Sequence, residues 1–312
     1  MYENMEMRQV FGDALEKLMI EDENIVVIDA DLARANGTLG LRSKFPERAF
    51  DIGVAEQNMA SFSAGMAAYG MKPYIATFTP FATRRICDQV AISISHAKRN
   101  VKIVGTDPGI SAELNGGTHM SMEDIGVLRS IPDMVIFEPV DNVQLAKALP
   151  VINDYVGPVY IRMFRKTTPA VFGEDYKFDL FKADTIKEGK DVTIFASGIM
   201  VAETIKANEM LKANGIDAEI INIHTIKPVD REAIVKSAKK TGAVVVCENH
   251  NVIGGLYSAV AEVLLEEFPV PAKSIGVKDH FGEVAKMEYL RKKYEMTAED
   301  IVKAVEEVLK KK

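Results

Sequence analysis

The most informative stretch of the sequence is Phe50–Met59 (FDIGVAEQNM), which places a carboxylate, Glu56, at the start of a predicted helix. This helix, Ala55–Tyr69, is rich in small and apolar residues, so we expect Glu56 to be poorly solvated. A poorly solvated carboxyl group can share a proton with a ring nitrogen. The structural alternative is a glutamate that only interacts with the positive end of the helix dipole.

Strands and helices alternate on both sides of this stretch. The run Ile25–Ala30 is continuously apolar, as expected of a strand that is buried on both faces. The other predicted strands are Tyr74–Phe78, Val101–Gly105, Met134–Phe137, Val159–Met163, Val192–Ala196, Ala218–Ile223, Ala243–Cys247 and Ser274–Val277. A first helix is predicted from the 3–4 spacing of apolar residues between Met7 and Met19. The other predicted helices are Phe81–Ala97, Glu123–Ser130, Asp141–Ile152, Val201–Ala213, Arg231–Lys239, Leu256–Phe268 and Ala298–Lys311. The alternation predicts an α/β fold of two domains, each a mostly parallel sheet covered by helices.

The alternation is interrupted between residues 165 and 190. That stretch is polar and contains one proline and two glycines, as is typical of a linker. We therefore predict a first domain at residues 1–170, a linker at 171–190 and a second domain at 191–312.

Composition excludes several classes of protein. A chain of 312 residues with 47% hydrophobic and 27% charged residues is typical of a globular protein with real cores. Its net charge of −7 argues against nucleic acid as a partner. The two cysteines lack CxxC spacing, which excludes a disulfide framework and suits the cytoplasm, the predicted location. There is no signal peptide and no apolar run long enough to span a membrane, so no membrane association is predicted.

Several polar and aromatic residues follow the carboxyl ends of predicted strands, where ligands bind in open α/β sheets. Asp31 follows the first strand, Phe78 and Phe81 follow another, and Asp107 and Arg165 follow two more. Each has a structural alternative, since the two phenylalanines could be core residues. The positions nevertheless predict a binding site at one edge of the first sheet.

Three further features have alternative interpretations. The loop from Asp107 to His119 is long for a mere connection, which favours a function, although its glycines also suit simple turns. Gly254 and Gly255 open a helix that could bind an anion, but tight packing of strand on helix is the favoured interpretation. His224, like the other histidines in the second half, has no metal-ligand spacing, so no metal site is predicted in this chain.

The stretch around Glu56 resembles the thiamine-diphosphate enzymes of the transketolase family, in the half that binds the aminopyrimidine ring of the cofactor. The resemblance continues through Pro73–Phe78 (PYIATF) and Gly116–His119 (GGTH), and it covers essentially the whole chain in order. It implies a pyrimidine-binding domain, a transketolase C-terminal domain and thiamine diphosphate as cofactor. The implied reaction is transfer of a two-carbon ketol unit between sugar phosphates, as in the pentose phosphate pathway.

The resemblance also implies roles for single residues. Glu56 matches the glutamate that contacts the pyrimidine N1′, and Phe78 and Phe81 match aromatic residues that pack on that ring. Asp31 matches an aspartate close to the cofactor, and His119 matches a histidine that reaches the reacting carbons.

Besides His119, five residues are implied in substrate binding. Arg8 and Arg165 match arginines that hold the substrate phosphate, a task that suits a planar, bidentate guanidinium. The other three depart from authentic transketolases: Asp107 replaces a histidine, Asn115 replaces an aspartate and Arg84 replaces an aromatic residue. Arg84 and Asp107 are more similar to deoxyxylulose-phosphate synthases. A synthase-like enzyme and the β subunit of a 2-oxo-acid dehydrogenase therefore remain alternatives.

The family's anchor for Mg²⁺ and diphosphate, a G-D-G motif followed by an asparagine, does not occur in this sequence. Gly12-Asp13-Ala14 lies inside a predicted helix and cannot serve. The resemblance therefore implies the C-terminal subunit of a split transketolase, which homodimerises within a heterotetramer. An N-terminal subunit carrying the motif would hold the metal and the diphosphate. The rival from another class is a nucleotide-binding regulatory α/β protein, but no G-x-G-x-x-G follows the first strand.

Overall fold

The structure, a computed structural model, describes Tyr2 and residues 4–312. The chain forms two compact units, of which the first comprises Met1–Pro108 and Val127–Leu180. The second comprises Gly109–Gly126 and Phe181–Lys312. The loop that contains His119 is thus part of the second unit, although the sequence-based boundaries placed it in the first domain.

The strands of a parallel sheet, most of them buried on both faces, form the centre of the first unit. They are β1 (Ile25–Asp29), β2 (Ala49–Asp51), β3 (Lys72–Phe78), β4 (Lys102–Thr106), β5 (Val135–Phe137) and β6 (Val159–Met163). They lie side by side in the order β5-β6-β4-β3-β1-β2, and every pair is parallel. The predicted parallel sheet is therefore confirmed, and its carboxyl edge carries the candidate site residues of this unit.

Helices alternate with these strands along the chain. They are α1 (Met7–Glu21), α2 (Ala33–Asn36), α3 (Leu39–Lys44), α4 (Glu56–Ala68), α5 (Thr79–Ala82), α6 (Asp124–Arg129) and α7 (Asn142–Asp154). The buried side of α1 is formed by the apolar residues that the 3–4 spacing selects, such as Val10, Phe11 and Leu15.

The prediction of one continuous helix over Phe81–Ala97 is wrong. Helix α5 ends at Ala82, and Thr83 has φ −127° and ψ −89°, which is not helical. The hydroxyl of Thr83 donates to the carbonyl oxygen of Thr79 at 2.7 Å, a local bond that competes with regular helix geometry. A 3-10 turn, Arg84–Ile86, and a π-helical segment, Gln89–His96, follow. Arg84 consequently does not lie one helical turn beyond the aromatic pair.

The second unit also contains a central sheet. Its strands are β7 (Asp184–Lys187), β8 (Val192–Ala196), β9 (Ala218–Asn222), β11 (Val244–Asn251) and β12 (Ala272–Val277), and the short β10 (Thr225–Lys227) also belongs to this unit. The sheet order is β12-β11-β8-β9-β7, parallel except for β7, which is antiparallel to β9. Because β7 lies within residues 171–190, the last part of the predicted linker belongs to this sheet.

The helices of the second unit follow the predicted pattern, with two additions: a 3-10 helix within the predicted loop and a short helix before the last one. They are a 3-10 helix at Gly109–Asn115, α8 (Met200–Ala213), α9 (Arg231–Thr241), α10 (Leu256–Glu267), α11 (Met287–Lys293) and α12 (Ala298–Leu309). Helix α11 was not predicted, since it has seven residues and only one of them, Leu290, is buried. Across the part of the chain that the structure describes, no helix has the length and apolarity needed to cross a membrane.

Candidate active site

Glu56 lies at the first position of α4 and is 4% exposed, so its predicted poor solvation is confirmed. Its Oε1 accepts a hydrogen bond from Nη1 of Arg85 at 2.8 Å, which makes an ion pair. The guanidinium is the more accessible partner, with 42% of its side chain exposed. The first turn of α4 thus contains a buried carboxylate that is paired with a partly exposed cation, Arg85.

The aromatic pair Phe78 and Phe81 lies at the end of β3 and in α5, with ring centroids 6.2 Å apart and planes inclined by 41°. Both side chains are half-buried, so they are not simply core residues. Each ring carries a guanidinium on its face: Arg85 lies 3.8 Å from the centroid of Phe81, and Arg165 lies 4.8 Å from that of Phe78. Such contacts stabilise a cation by about 0.5–1 kcal/mol at accessible sites.

Arg165 and Asp107 form an ion pair at the ends of β6 and β4. Nε of Arg165 donates to Oδ2 of Asp107 at 2.5 Å, and Nη2 approaches the same oxygen. The backbone of Asp107 has φ 53°, and its carboxyl group is 2% exposed. Burial raises the pKa of Asp107 above its usual range, and the hydrogen bond and charge of Arg165 oppose that rise. The structure therefore brings these two predicted residues together.

Arg8 and Arg165 are linked by a backbone hydrogen bond. The amide of Arg8, in the first turn of α1, donates to the carbonyl oxygen of Arg165 at 3.1 Å. Its side chain is turned to Glu6, with Nε 2.7 Å from Oε2. Two of the predicted phosphate ligands are therefore neighbours, and each is oriented by a carboxylate of the same chain. Arg84 is exposed in the 3-10 turn.

Asp31 lies in a turn that Asp51 fixes. Oδ1 of Asp51 accepts hydrogen bonds from the amides of Asp31 at 3.0 Å and Gly53 at 2.9 Å. Nη2 of Arg42 bridges Asp51, at 2.9 Å, and Asp29, at 2.7 Å. Although burial opposes it, the two amides lower the pKa of Asp51. This cluster connects the Asp31 turn to the turn that precedes Glu56.

Two predicted residues, Asn115 and His119, belong to the second unit. Asn115 is exposed, and Nδ1 of His119 lies 2.8 Å from the hydroxyl of Thr118. Their loop is closely packed within its own unit, because a Cβ added to Gly117 would lie 2.5 Å from the carbonyl oxygen of Gly282. A functional role for the loop stays a prediction.

The start of α10 is occupied by a side chain of the same unit. The carboxylate of Glu248 accepts from the amides of Leu256 at 2.7 Å and Tyr257 at 3.0 Å. A Cβ added to Gly255 would lie 2.0 Å from Oε2 of Glu248. The interpretation of tight packing is therefore confirmed, and the glycine is required because the carboxylate approaches the backbone so closely.

Sequence reasoning missed Arg85, Asp51 and Arg42. The local signals were the Arg84-Arg85 pair after the aromatic residues and the spacing of four between Phe81 and Arg85, which a continuous helix would place on one face. The contacts of Asp51 join residues 20 positions apart, which no local pattern reveals.

The chemistry of the site follows from these contacts. Glu56 and Phe81 together hold a planar group that stacks on the ring and donates an N–H to the carboxylate, namely the Arg85 guanidinium. An aminopyrimidine ring is likewise planar and bears nitrogen, so the residues present fit that part of thiamine diphosphate. Within Tyr2 and residues 4–312, no group of three or more histidine, cysteine, aspartate or glutamate residues could hold a metal ion.

Comparison with known proteins gives the family. Residues 3–170 match the family described as transketolase, pyrimidine binding domain, and residues 181–301 match transketolase, C-terminal domain. The chain is 51% identical over 306 residues to the 6-deoxy-6-sulfo-D-fructose transketolase subunit SqwH of Clostridium sp. (strain MSTE9), with 98% of this chain and 95% of that protein covered.

Two further proteins are similar over their whole lengths. An apulose-4-phosphate transketolase subunit of Phocaeicola vulgatus is 37% identical, with 97% of each chain covered. A solved structure described as "Split gene transketolase, inactive beta4 tetramer" is 43% identical with a TM-score of 0.90, covering 98% of this chain and 99% of that one. The chain therefore belongs to the transketolase family, as a transferase subunit that corresponds to the C-terminal subunit of split transketolases.

Proposed function

We propose that this chain is the pyrimidine-binding subunit of a cytoplasmic, thiamine-diphosphate-dependent transketolase that transfers a two-carbon ketol unit between sugars bearing an anionic group. The observation that carries the proposal is the pairing of a buried carboxylate, Glu56, with the ring of Phe81 around one planar, nitrogen-bearing group. That pairing is the chemistry an aminopyrimidine requires.

The residues have distinct tasks in this proposal. Glu56 holds a proton at the pyrimidine N1′, and the low solvation of its carboxyl group strengthens that hydrogen bond. Phe78 and Phe81 orient the ring, Asp31 borders it, and His119 binds the reacting part of the sugar. When bound, the cofactor would supply both the nucleophilic carbon and, in its cationic ring, the electron sink for the reaction.

A partner subunit is part of the proposal. The described residues contain no metal cluster, and the sequence has no G-D-G motif, so an N-terminal subunit with G-D-G and a downstream asparagine would hold Mg²⁺ and the diphosphate. The names of two related proteins call them subunits, and that of a third describes an inactive tetramer of β chains. These names support an oligomer that includes a partner subunit, and a homodimer of this chain within a heterotetramer is the form that we propose.

The substrate is proposed to be a ketose with an anionic end, such as a sugar phosphate. Arg8 and Arg165 are adjacent through the backbone, as two ligands of one phosphate would be. The names of two relatives contain a sulfo sugar and a sugar phosphate, both anionic. Arg84, Asp107 and Asn115 are proposed to set which sugar is accepted. Turnover of pyruvate with higher kcat/KM than any ketose phosphate would favour the deoxyxylulose-phosphate-synthase or dehydrogenase alternative instead.

The test is Glu56→Gln in the complex reconstituted from the two subunits. We expect turnover to fall by about 10³-fold, because an amide cannot share the proton as a carboxyl group does. Folding should persist, since the glutamine oxygen can still accept from Arg85; circular dichroism checks this. Calorimetry provides a second measurement, in which the chain without its partner should bind thiamine diphosphate and Mg²⁺ only weakly. A Glu56→Gln complex with most of its wild-type kcat would refute the role of Glu56.

A further inference from the structure

Arg85 occupies the place that the proposed function gives to the aminopyrimidine ring. Its Nη1 lies 2.8 Å from Oε1 of Glu56, and its guanidinium carbon lies 3.8 Å from the ring centroid of Phe81. An aminopyrimidine ring that stacks on Phe81 and binds Glu56 would need the aromatic face that the guanidinium covers. It would also need an oxygen of the carboxylate that the guanidinium binds. The guanidinium and the ring cannot both use them.

The local backbone explains why Arg85, and not Arg84, reaches this place. The helix breaks at Thr83, and the two arginines follow in a 3-10 turn whose consecutive side chains point about 120° apart. The carbonyl oxygen of Arg85 accepts from Nε2 of Gln57 at 3.3 Å, which connects the turn to the start of α4. Ile86, fully buried, anchors the same turn.

The side chain can leave this place at little cost. It is 42% exposed, whereas the carboxylate it pairs with is buried. Solvent reaches the guanidinium of Arg85 much more than that of Arg165, which is 17% exposed, so both the ion pair and the cation–π contact are weakened by solvation of the cation. Those contacts are lost when the guanidinium swings into solvent, and the incoming ring replaces them.

We propose that Arg85 is a further residue of the cofactor site, which shields Glu56 in the cofactor-free chain and is displaced when the aminopyrimidine binds. The inference rests on the proposed function. Arg85 then competes with the aminopyrimidine for Glu56 and Phe81. The binding free energy of thiamine diphosphate in the wild type is less favourable by the free energy needed to displace the guanidinium.

The test compares the affinity of reconstituted complexes for thiamine diphosphate at fixed Mg²⁺, by calorimetry. Arg85→Met keeps the length and the apolar contact with Phe81 but removes the donor and the charge. Its dissociation constant should be about fivefold lower than that of the wild type. Arg85→Lys keeps the charge without the planar stack and should lie between the two. Arg231→Met removes an equally charged, 48% exposed side chain with its ion pairs from α9 of the second unit, and it should match the wild type.

Tighter binding by Arg85→Met alone supports the inference. An unchanged affinity would show that Arg85 does not compete, and a weaker one would show that it stabilises the bound state; either result overturns the inference. The proposed function fails in a different way, through a complex that binds no thiamine diphosphate or a Glu56→Gln variant that retains turnover. The outcome for Arg85 is therefore separable from that of Glu56.

Discussion

Arg165→Met is expected to destabilise the first unit because it leaves the buried carboxylate of Asp107 without its charged partner. Asp107 is 2% exposed, and Arg165, 17% exposed, provides its charged partner. Methionine preserves most of the length of the side chain and its packing on Phe78, so the loss is chiefly one of charge and hydrogen bonding. The perturbation thus separates the ion pair from the bulk of the arginine.

The size of the loss follows from the burial of the pair. Removing one member of a fully buried ion pair costs about 3–5 kcal/mol. Because Arg165 is partly accessible, some solvent reaches the pair, and we expect about 2–4 kcal/mol. Urea unfolding followed by circular dichroism measures the free energy. In the double variant Asp107→Asn/Arg165→Met, the buried side chain at position 107 is neutral. The double variant should therefore be more stable than Arg165→Met.

The pH dependence of the free energy of unfolding tests the same ion pair independently. Burial raises the pKa of Asp107 and Arg165 opposes the rise, so removing the arginine raises that pKa further. A carboxyl group with a raised folded pKa takes up its proton in the folded state first, so stability increases as pH falls towards its unfolded pKa. Arg165→Met should therefore recover stability as the pH falls from neutral towards the unfolded pKa of an aspartate, and the double variant should not. Equal stability of the two variants at neutral pH, with parallel pH profiles, would refute this account.

Two other predictions concern packing and burial. Gly255→Ala should cost about 2–4 kcal/mol, since its Cβ would meet the Glu248 carboxylate at 2.0 Å, whereas Gly40→Ala, with nothing within 4 Å, should be nearly neutral in the same denaturation assay. A small effect at Gly255 would mean that the carboxylate moves easily. Burial lowers the pKa of Lys102 to about 7, so between that pH and its unfolded pKa of about 10.4 the unfolded state binds the extra proton. The free energy of unfolding should therefore rise with pH across this window, and Lys102→Met should abolish that slope; an unchanged slope would contradict the assignment.

The sequence predicted those parts of the fold that depend on contiguous apolar residues. Val159–Met163 and Val192–Ala196 were located to the residue, because strands buried on both faces are predominantly apolar; each tolerates one buried polar residue, Arg162 or Thr193. β2 and β7 were missed because they are short edge strands with partly exposed patterns. Nothing in three or four half-exposed residues distinguishes such a strand from a loop.

The site was predictable where chemistry is local and unpredictable where it depends on side-chain direction. The burial of Glu56 follows from its place at the head of a small-residue helix, and the place of Phe78 at the carboxyl edge of the sheet follows from its position at a strand end, whereas their proposed roles came from the family resemblance. The place of Arg85 does not follow in this way, since a single non-helical residue, Thr83, decides which of two adjacent arginines faces Glu56. The sequence analysis named Arg84 alone because the family resemblance concerned that position, and helical spacing from Phe81 does not separate the two arginines.

The contacts of Arg8 and Arg165 restrict how the two arginines could bind a phosphate. Each uses the edge formed by Nε and Nη2 for a carboxylate, Glu6 in one case and Asp107 in the other. A guanidinium has a second pair of donors at its far end, so a phosphate would bind there and the carboxylate would fix the orientation. Asp107 is then more than a departure from the family pattern, because it determines which edge Arg165 presents. Replacing that aspartate should alter phosphate affinity through the direction of the arginine, even though Asp107 itself, as an anion, would repel the substrate.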